Sequence, residues 1–362
     1  MPFKSFFVAF SAVILGFAMP VFAQYSGEDA NPAPPAQKKI SLAKAAPASA
    51  DSLSPAVSRI TIVNAVWDTA RIGFLQTGLF NNKVEAVPDK EMNRYLQDYV
   101  DSTFRNLFSV GKPLLVWVVE DLRIGERTQM MSEKSYVRVK VTAFVSKDGN
   151  VYKLLKSMDV VRLRNGFDVT HQHRNNISNA FKEFYAQSVS DIDAAIAAQT
   201  PELTLDAIRA QYAQKREYPI LKAARLNDGV YLNFSSFLEN KPEIISFEIK
   251  GRAGKSKIYN TTDGQKTLVT APWGIVKDGQ PFKYKKAALI ALSRSGYGYV
   301  ITSYLSAYER RQSAIIGGAL IGGIAGGLLG STAALQHTDA FPELTLPAEA
   351  TAIDMETGEL IF

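Results

Sequence analysis

Apolar residues crowd the stretch Arg59 to Val66, RITIVNAV, which reads as a buried strand closed by Trp67 and Asp68. After a Gly-containing loop, Asp89 suits a helix N-cap. Met92, Leu96, Val100, Phe104 and Leu107 then repeat at helical spacing until Gly111. Leu114 to Val119, LLVWVV, is a continuous apolar run suited to a strand covered on both faces. Tyr136 to Val145 alternates with period two. Asp148-Gly149 marks a hairpin turn, and Val151 to Leu163 returns. A second amphipathic helix follows, with Ile177, Phe181, Phe184, Val189 and Ile192 on its inner face. The order β-α-β-β-β-α predicts an α/β sandwich over residues 58–199, within an α+β protein.

Thr200-Pro201-Glu202 reads as a helix start with Pro in the first turn, and Pro219 closes that helix. Residues 200–226 are therefore expected to form a helical connector. From 227 to 307 short strand candidates follow at close intervals. They are Ile244–Ile249, Lys257–Asn260, Thr267–Thr270, Trp273–Val276, Ala288–Ser293 and Tyr299–Leu305, with turns at Asp263-Gly264 and Asp278-Gly279. They predict a small antiparallel β-meander or barrel as a second domain.

Ala314 to Leu335, AIIGGALIGGIAGGLLGSTAAL, is uncharged and follows Arg310-Arg311. Gly318, Gly322, Gly326 and Gly330 recur every fourth residue, with Gly323 and Gly327 on a second small stripe. In water each Gly weakens a helix by roughly 1 kcal/mol relative to Ala. In lipid the same residues let two helices approach closely. A helix of this length spans roughly 33 Å, enough to cross a hydrocarbon core. Residues 308–336 thus predict a C-terminal Gly-rich helix that meets membrane lipid or a second copy of itself. Placing Arg310 and Arg311 outside and an acidic tail inside would invert the usual charge bias. An ordinary inner-membrane single pass is therefore not expected.

Composition sharpens the ends. Lys4, the apolar run Phe6–Met19 and Val21-Phe22-Ala23 read as residues 1–23 of an export signal, with the mature chain starting at Gln24. Residues 24–57, rich in Ala, Pro, Ser and Lys without periodicity, read as a disordered linker. Residues 337–362 carry acids but no Lys or Arg and form an acidic tail, so the body is more basic than the net charge of +6 suggests. That favours anionic surfaces such as lipid headgroups. No basic cluster interleaved with aromatics points to nucleic acid. With no cysteine, disulfides, thiolate metal sites and an N-terminal lipid anchor on Cys are excluded.

Candidate chemistry is sparse. Gly251 to Ser256 lacks the first glycine of a phosphate loop, that position being Ile249, and reads as a basic hairpin loop. His171 and His173 lie on one side of a segment before a helix. Only His337 could join them, so they read as exposed loop and not as a zinc site, and their replacement by Ala is expected to leave folding unchanged. Glu120 and Asp121 read as acids at a strand end in water, beside Arg123. Trp273, Tyr284, Tyr297, Tyr299 and Tyr304 enrich the second domain in aromatics. The first four are the candidates for a glycan or peptide groove. No catalytic residue, metal or cofactor is expected.

Gly229-Val230-Tyr231, Phe234-x-x-Phe237, Asn240-x-Pro242, Trp273-Gly274 with Asp278-Gly279, and the tail Ile353–Gly358 resemble uncharacterised exported proteins of Bacteroidota-type bacteria. That resemblance implies export and brings no established activity. The layout of the first domain is similar to the TolB amino-terminal and YajG-like envelope domains. The Gly-rich run resembles the glycine-zipper segments of outer-membrane surface antigens. The expectation is an exported, non-enzymatic envelope protein of the periplasm or outer membrane, with lipid, itself or other envelope proteins as partners. The alternative is a soluble periplasmic glycan- or peptide-binding module.

Overall fold

The computed structural model describes residues 36–50, 52–77, 82–128, 133–166, 168–251, 255–301 and 352–361. The fold is α+β. The export signal and the Gly-rich helix, with Gly318, Gly322, Gly323, Gly326, Gly327 and Gly330, lie outside the described residues.

The first lobe is an eight-stranded sheet: β1 (Gln37–Ile40), β2 (Arg59–Asn64), β3 (Gly73–Thr77), β4 (Asn82–Pro88), β5 (Leu114–Thr128), β6 (Glu133–Ser146), β7 (Tyr152–Gly166) and β8 (Glu202–Leu203). The spatial order is β1-β4-β3-β5-β6-β7-β8, and β2 lies beside the first half of β5, parallel to it. Helices α1 (Met92–Phe104), α2 (His173–Val189) and α3 (Ile192–Ala197) belong to the same lobe. Their apolar faces and the inward residues of β2, β5 and β6 form one core around the fully buried Trp117. The inward residues read from spacing, Met92, Leu96, Val100, Phe104 and Leu107, are all buried. Glu91, not Asp89, caps α1, accepting from the N–H of Asn93 at 2.9 Å and of Arg94 at 3.1 Å.

Three expectations are corrected. The linker expected over 24–57 does not hold from residue 36 onward. There β1 pairs in parallel with β4, and Leu42, Ala48 and Val57 are buried against the lobe. These are isolated apolar plugs without a period, so periodicity does not reveal them. Backbone bonds tie them down, such as Ala48 N to Thr103 O at 2.7 Å. The helix expected from Thr200 starts instead after Thr204, whose hydroxyl accepts from Ala207 N at 3.1 Å, because Glu202–Leu203 pairs with Tyr152–Lys153 as β8. That helix, α4 (Leu205–Gln214), is no spacer: Ile208 and Tyr212 pack on Val63, Val116 and Val118, across the sheet from α1–α3. Pro219 opens α5 (Pro219–Lys222).

The second lobe holds β9 (Gly229–Tyr231), α6 (Phe234–Leu238), β10 (Phe247–Lys250), β11 (Lys257–Asn260), β12 (Thr267–Leu268), β13 (Gly274–Lys277), β14 (Gln280–Lys285), β15 (Ala288–Ser295), β16 (Gly298–Ile301), β17 (Ala352–Ile353) and β18 (Leu360–Ile361). They form two sheets, β10-β11-β12 and β18-β17-β16-β15-β14-β13-β9. The boundary expected at 307 therefore misses two strands. The acidic tail expected over 337–362 returns at its end to complete the sheet, with Ile353 opposite Tyr299 and Ala352 opposite Val300.

Candidate functional site

The site begins with a bulge. Val119 pairs with Val141 and Asp121 with Lys140, so Glu120 is an extra residue in β5. Leu115, Trp117 and Val119 face the helices. Without the bulge Asp121 and Arg123 would follow them into that core. With it, Leu122 and Ile124 take the core side, and Asp121 and Arg123 turn to the other face. Strand β5 thus runs on to Thr128. The acids are not at a strand end in water, as expected from sequence: Asp121 is 4% exposed, and Arg123 and Arg138 are buried beside it.

The second lobe covers these charges. Asp121 accepts from Trp67 Nε1 at 3.1 Å and lies 3.5 Å from Arg138. Arg138 also holds Asp159 through two bonds of 2.9 and 2.7 Å, and lies 3.7 Å from Asp354 of the tail. The Arg123 guanidinium sits 5.0 Å over the Trp67 ring. Burial pushes the Asp121 carboxyl up to about 6, against the pull of Arg123, Arg138 and Trp67. Burial likewise lowers Arg123 to about 10. Burial alone would lower Arg138, but Asp159, Asp121 and Asp354 outweigh it and raise the pKa.

Beside this group Lys215 donates to Glu120 at 3.0 Å, and Glu356 of the tail binds both Lys140 and Lys215. On the other flank Asp68 accepts from Ser295 Oγ at 2.6 Å and pairs with Arg71 at 2.9 Å, and Arg71 reaches Glu85 at 2.7 Å. The β15–β16 turn docks here through Tyr297 N to Trp67 O at 2.7 Å. Gly296 makes that approach possible: its φ is +55°, and a Cβ would lie 2.3 Å from Trp67 O.

Between these contacts lies a cleft of about 70 Å³, lined by Trp67, Tyr212, Lys215, Arg216, Tyr218, Tyr297 and Met355 among others. That is room for roughly two waters, well short of the hundreds of Å³ of a small-molecule pocket. Each carboxylate of the cleft, Glu120, Asp121, Asp354 and Glu356, lies within 4 Å of a Lys or Arg. Among the described residues no three His, Asp or Glu side chains are grouped to hold a metal.

The four aromatic candidates do not share a surface. Tyr297 lines the cleft, with Arg216 stacked 4.7 Å from its ring centroid. Tyr284 turns its hydroxyl to Ser256 O at 2.9 Å. Trp273 and Tyr299 belong to the second lobe's core with Phe237. Trp273 Nε1 and Lys283 Nζ both donate to Gly358 O at 3.0 Å, which seats the tail on the lobe. Burial lowers Lys283 to about 8. Tyr304 lies outside the described residues.

The histidines separate as well. His171 is exposed, but His173 is fully buried at the start of α2, with Nε2 2.9 Å from Glu126 Oε1. The expectation that both are loop is corrected for His173, because α2 packs on β6 and β7 and buries its first turn beside Glu126 of β5. His173→Ala would leave Glu126 buried with one partner fewer. A loss of about 1–3 kcal/mol is expected in denaturant unfolding, against no measurable change for His171→Ala.

Sequence reading missed Asp68, Arg71, Arg138, Ser295 and Glu356. Their signal was partial: Asp121-Leu122-Arg123-Ile124 and Val137-Arg138-Val139-Lys140 alternate, which marks the charged residues as one face.

No family model matches the chain. No curated protein matches it either. Among solved structures, the crystal structure of a Xanthomonas campestris protein of family DUF330 is similar over 97% of its own length and 50% of this chain. The identity is 11% and the TM-score 0.24, too low for that likeness to carry an argument about fold or function.

Proposed function

We propose that this is an exported, non-enzymatic protein of the periplasm or outer membrane, whose two-lobed body is attached to lipid or to other copies through the Gly-rich segment. The observation that carries the reading is the pairing of β16 with β17. The described chain stops at Ile301 and resumes at Ala352, and the register partners Val300 and Ala352 are neighbours on one sheet. A segment with both ends at one place suits insertion that returns to the same side, or helix pairing between copies. A single crossing would need residues 336–351, with Asp339, Glu343 and Glu349, to pass back through hydrocarbon with unsatisfied backbone. The tight ion-pairing of the cleft supports a scaffold over a catalyst.

The test is fractionation of the full chain with a reporter fused after Phe362. The reporter is expected on the same side as the body, in the membrane fraction or in a cross-linkable oligomer. Gly322→Leu and Gly326→Leu are expected to reduce that attachment while both lobes stay folded, since each has its own core. A wholly soluble monomer would favour the second reading, a periplasmic glycan- or peptide-binding module, for which Tyr297 in the cleft is the remaining aromatic candidate.

A further inference from the structure

Nine large apolar side chains stand exposed among the described residues, and four of them, Val151, Leu154, Val161 and Leu163, lie on β7 or just before it. Val161 is 53% exposed and Leu163 47%. One edge of β7 is paired with β6 along its length. On the other edge β8 covers only Tyr152 and Lys153. From Lys156 to Gly166 that outer edge has no strand partner among the described residues. A long open edge with apolar side chains is a template for another strand.

The two faces of this edge differ. Met158 and Val160 pack toward the helices, where Lys156 pairs with Asp191 and Arg162 with Glu183. Ser157, Asp159, Val161, Leu163 and Asn165 alternate with them on the opposite face.

We propose that the partner is a second copy of β7, joined antiparallel about a two-fold axis so that the two sheets become one. Such an axis places like face on like face, so each register centres on one residue facing itself. Centring on Asp159 sets Asp159 against Asp159 and Lys156 against Arg162. Centring on Val160 sets Lys156 against Arg164. Centring on Arg162 sets two arginines together, and centring on Leu163 sets Arg162 against Arg164. Directly opposed like charges destabilise a sheet pair. Centring on Val161 avoids all of them. Val161 then meets Val161, Leu163 lies against Asp159, Arg162 against Val160 and Arg164 against Met158. Of these five registers it alone opposes no like charges, and it places the exposed Val161 and Leu163 at the middle of the joint.

The chain has no cysteine, so single-cysteine variants of the full-length protein report cleanly. Val161→Cys is expected to form a covalent dimer with a short bis-maleimide. Ser157→Cys and Asn165→Cys should each fail to link with themselves but should link when mixed, because 157 faces 165 in this register. Val161→Lys sets two ammonium groups face to face. It is expected to raise the dimer dissociation constant at least tenfold in sedimentation with an unchanged circular dichroism spectrum. A monomeric wild type at about 100 µM, where an interface of ordinary affinity is saturated, overturns the proposal and leaves the edge to a strand of another protein. An oligomer that survives Val161→Lys but is lost in Gly322→Leu also overturns it, since the association would then run through the Gly-rich segment alone.

Discussion

Arg138→Ala is expected to destabilise the protein by about 3 kcal/mol at neutral pH, the low end of what removing one partner of a buried pair does. The variant removes the bidentate hold on Asp159, the contact to Asp354, and one of two cations facing the buried Asp121. Arg123 remains beside Asp121, and its own repulsion from Arg138 is relieved, which keeps the loss from the high end. The effect should depend on pH in a direction unlike that of an ordinary salt-bridged carboxylate. The pKa of Asp121 in the folded state, about 6, lies above its ordinary 3.8, so folding draws the proton on. Its contribution to stability is fully present below about 3.8 and is lost as the pH rises through about 6. Without Arg138 the folded carboxyl of Asp121 is pushed up further, so the cost of Arg138→Ala should be largest above neutral pH and shrink as acidification brings the pH down toward about 6. Asp121→Asn should abolish the slope. The unfolding free energy of wild type minus that of Asp121→Asn is expected to fall by about 3 kcal/mol as the pH rises through this window, at 1.36 kcal/mol per pKa unit. Urea unfolding at a series of pH values measures both. A cost of Arg138→Ala that grows on acidification would refute this account of Asp121.

Trp117→Ala is expected to lose about 3–5 kcal/mol, the usual range for truncating a buried aromatic. Trp117 has no exposed surface, and its ring lies 5.4 Å from Phe104, 5.9 Å from Phe181 and 5.3 Å from Phe184, centroid to centroid. These neighbours come from α1 and α2 and Trp117 itself from β5, so the cavity would open where both long helices meet the sheet. Its indole N–H is buried without a hydrogen-bond partner among the described residues. Trp117→Phe discards that orphan donor and keeps a ring, so its loss should be much smaller than that of Trp117→Ala, although it leaves a smaller cavity. Equal losses for Phe and Ala, in chemical unfolding followed by circular dichroism, would mean that this aromatic cluster contributes little beyond the volume lost at the indole.

Local pattern determined the elements whose reasons are local. The apolar run at Arg59–Val66, the helical spacing from Met92 to Phe104, the alternation of Tyr136–Val145 and the Asp148-Gly149 turn all fold as strand, helix, strand and turn, since each rests on a residue's own geometry and on one buried face. The sequence by itself also carried the α+β class. Tertiary structure decided what depends on a distant partner. The extra residue Glu120 is recognised only against Val141 and Lys140 on β6, yet it decides which side Asp121 and Arg123 take. Whether those charges are wet or buried depends on Trp67 and the second lobe above them, which no period within β5 records. His173 is polar in any window of sequence, and only the docking of α2 on the sheet turns it into a core residue bonded to Glu126. The tail shows the same limit: Ala352 and Ile353 are too short a run to mark a strand, and they become one because Val300 and Tyr299, some fifty residues earlier, offer an unpaired edge.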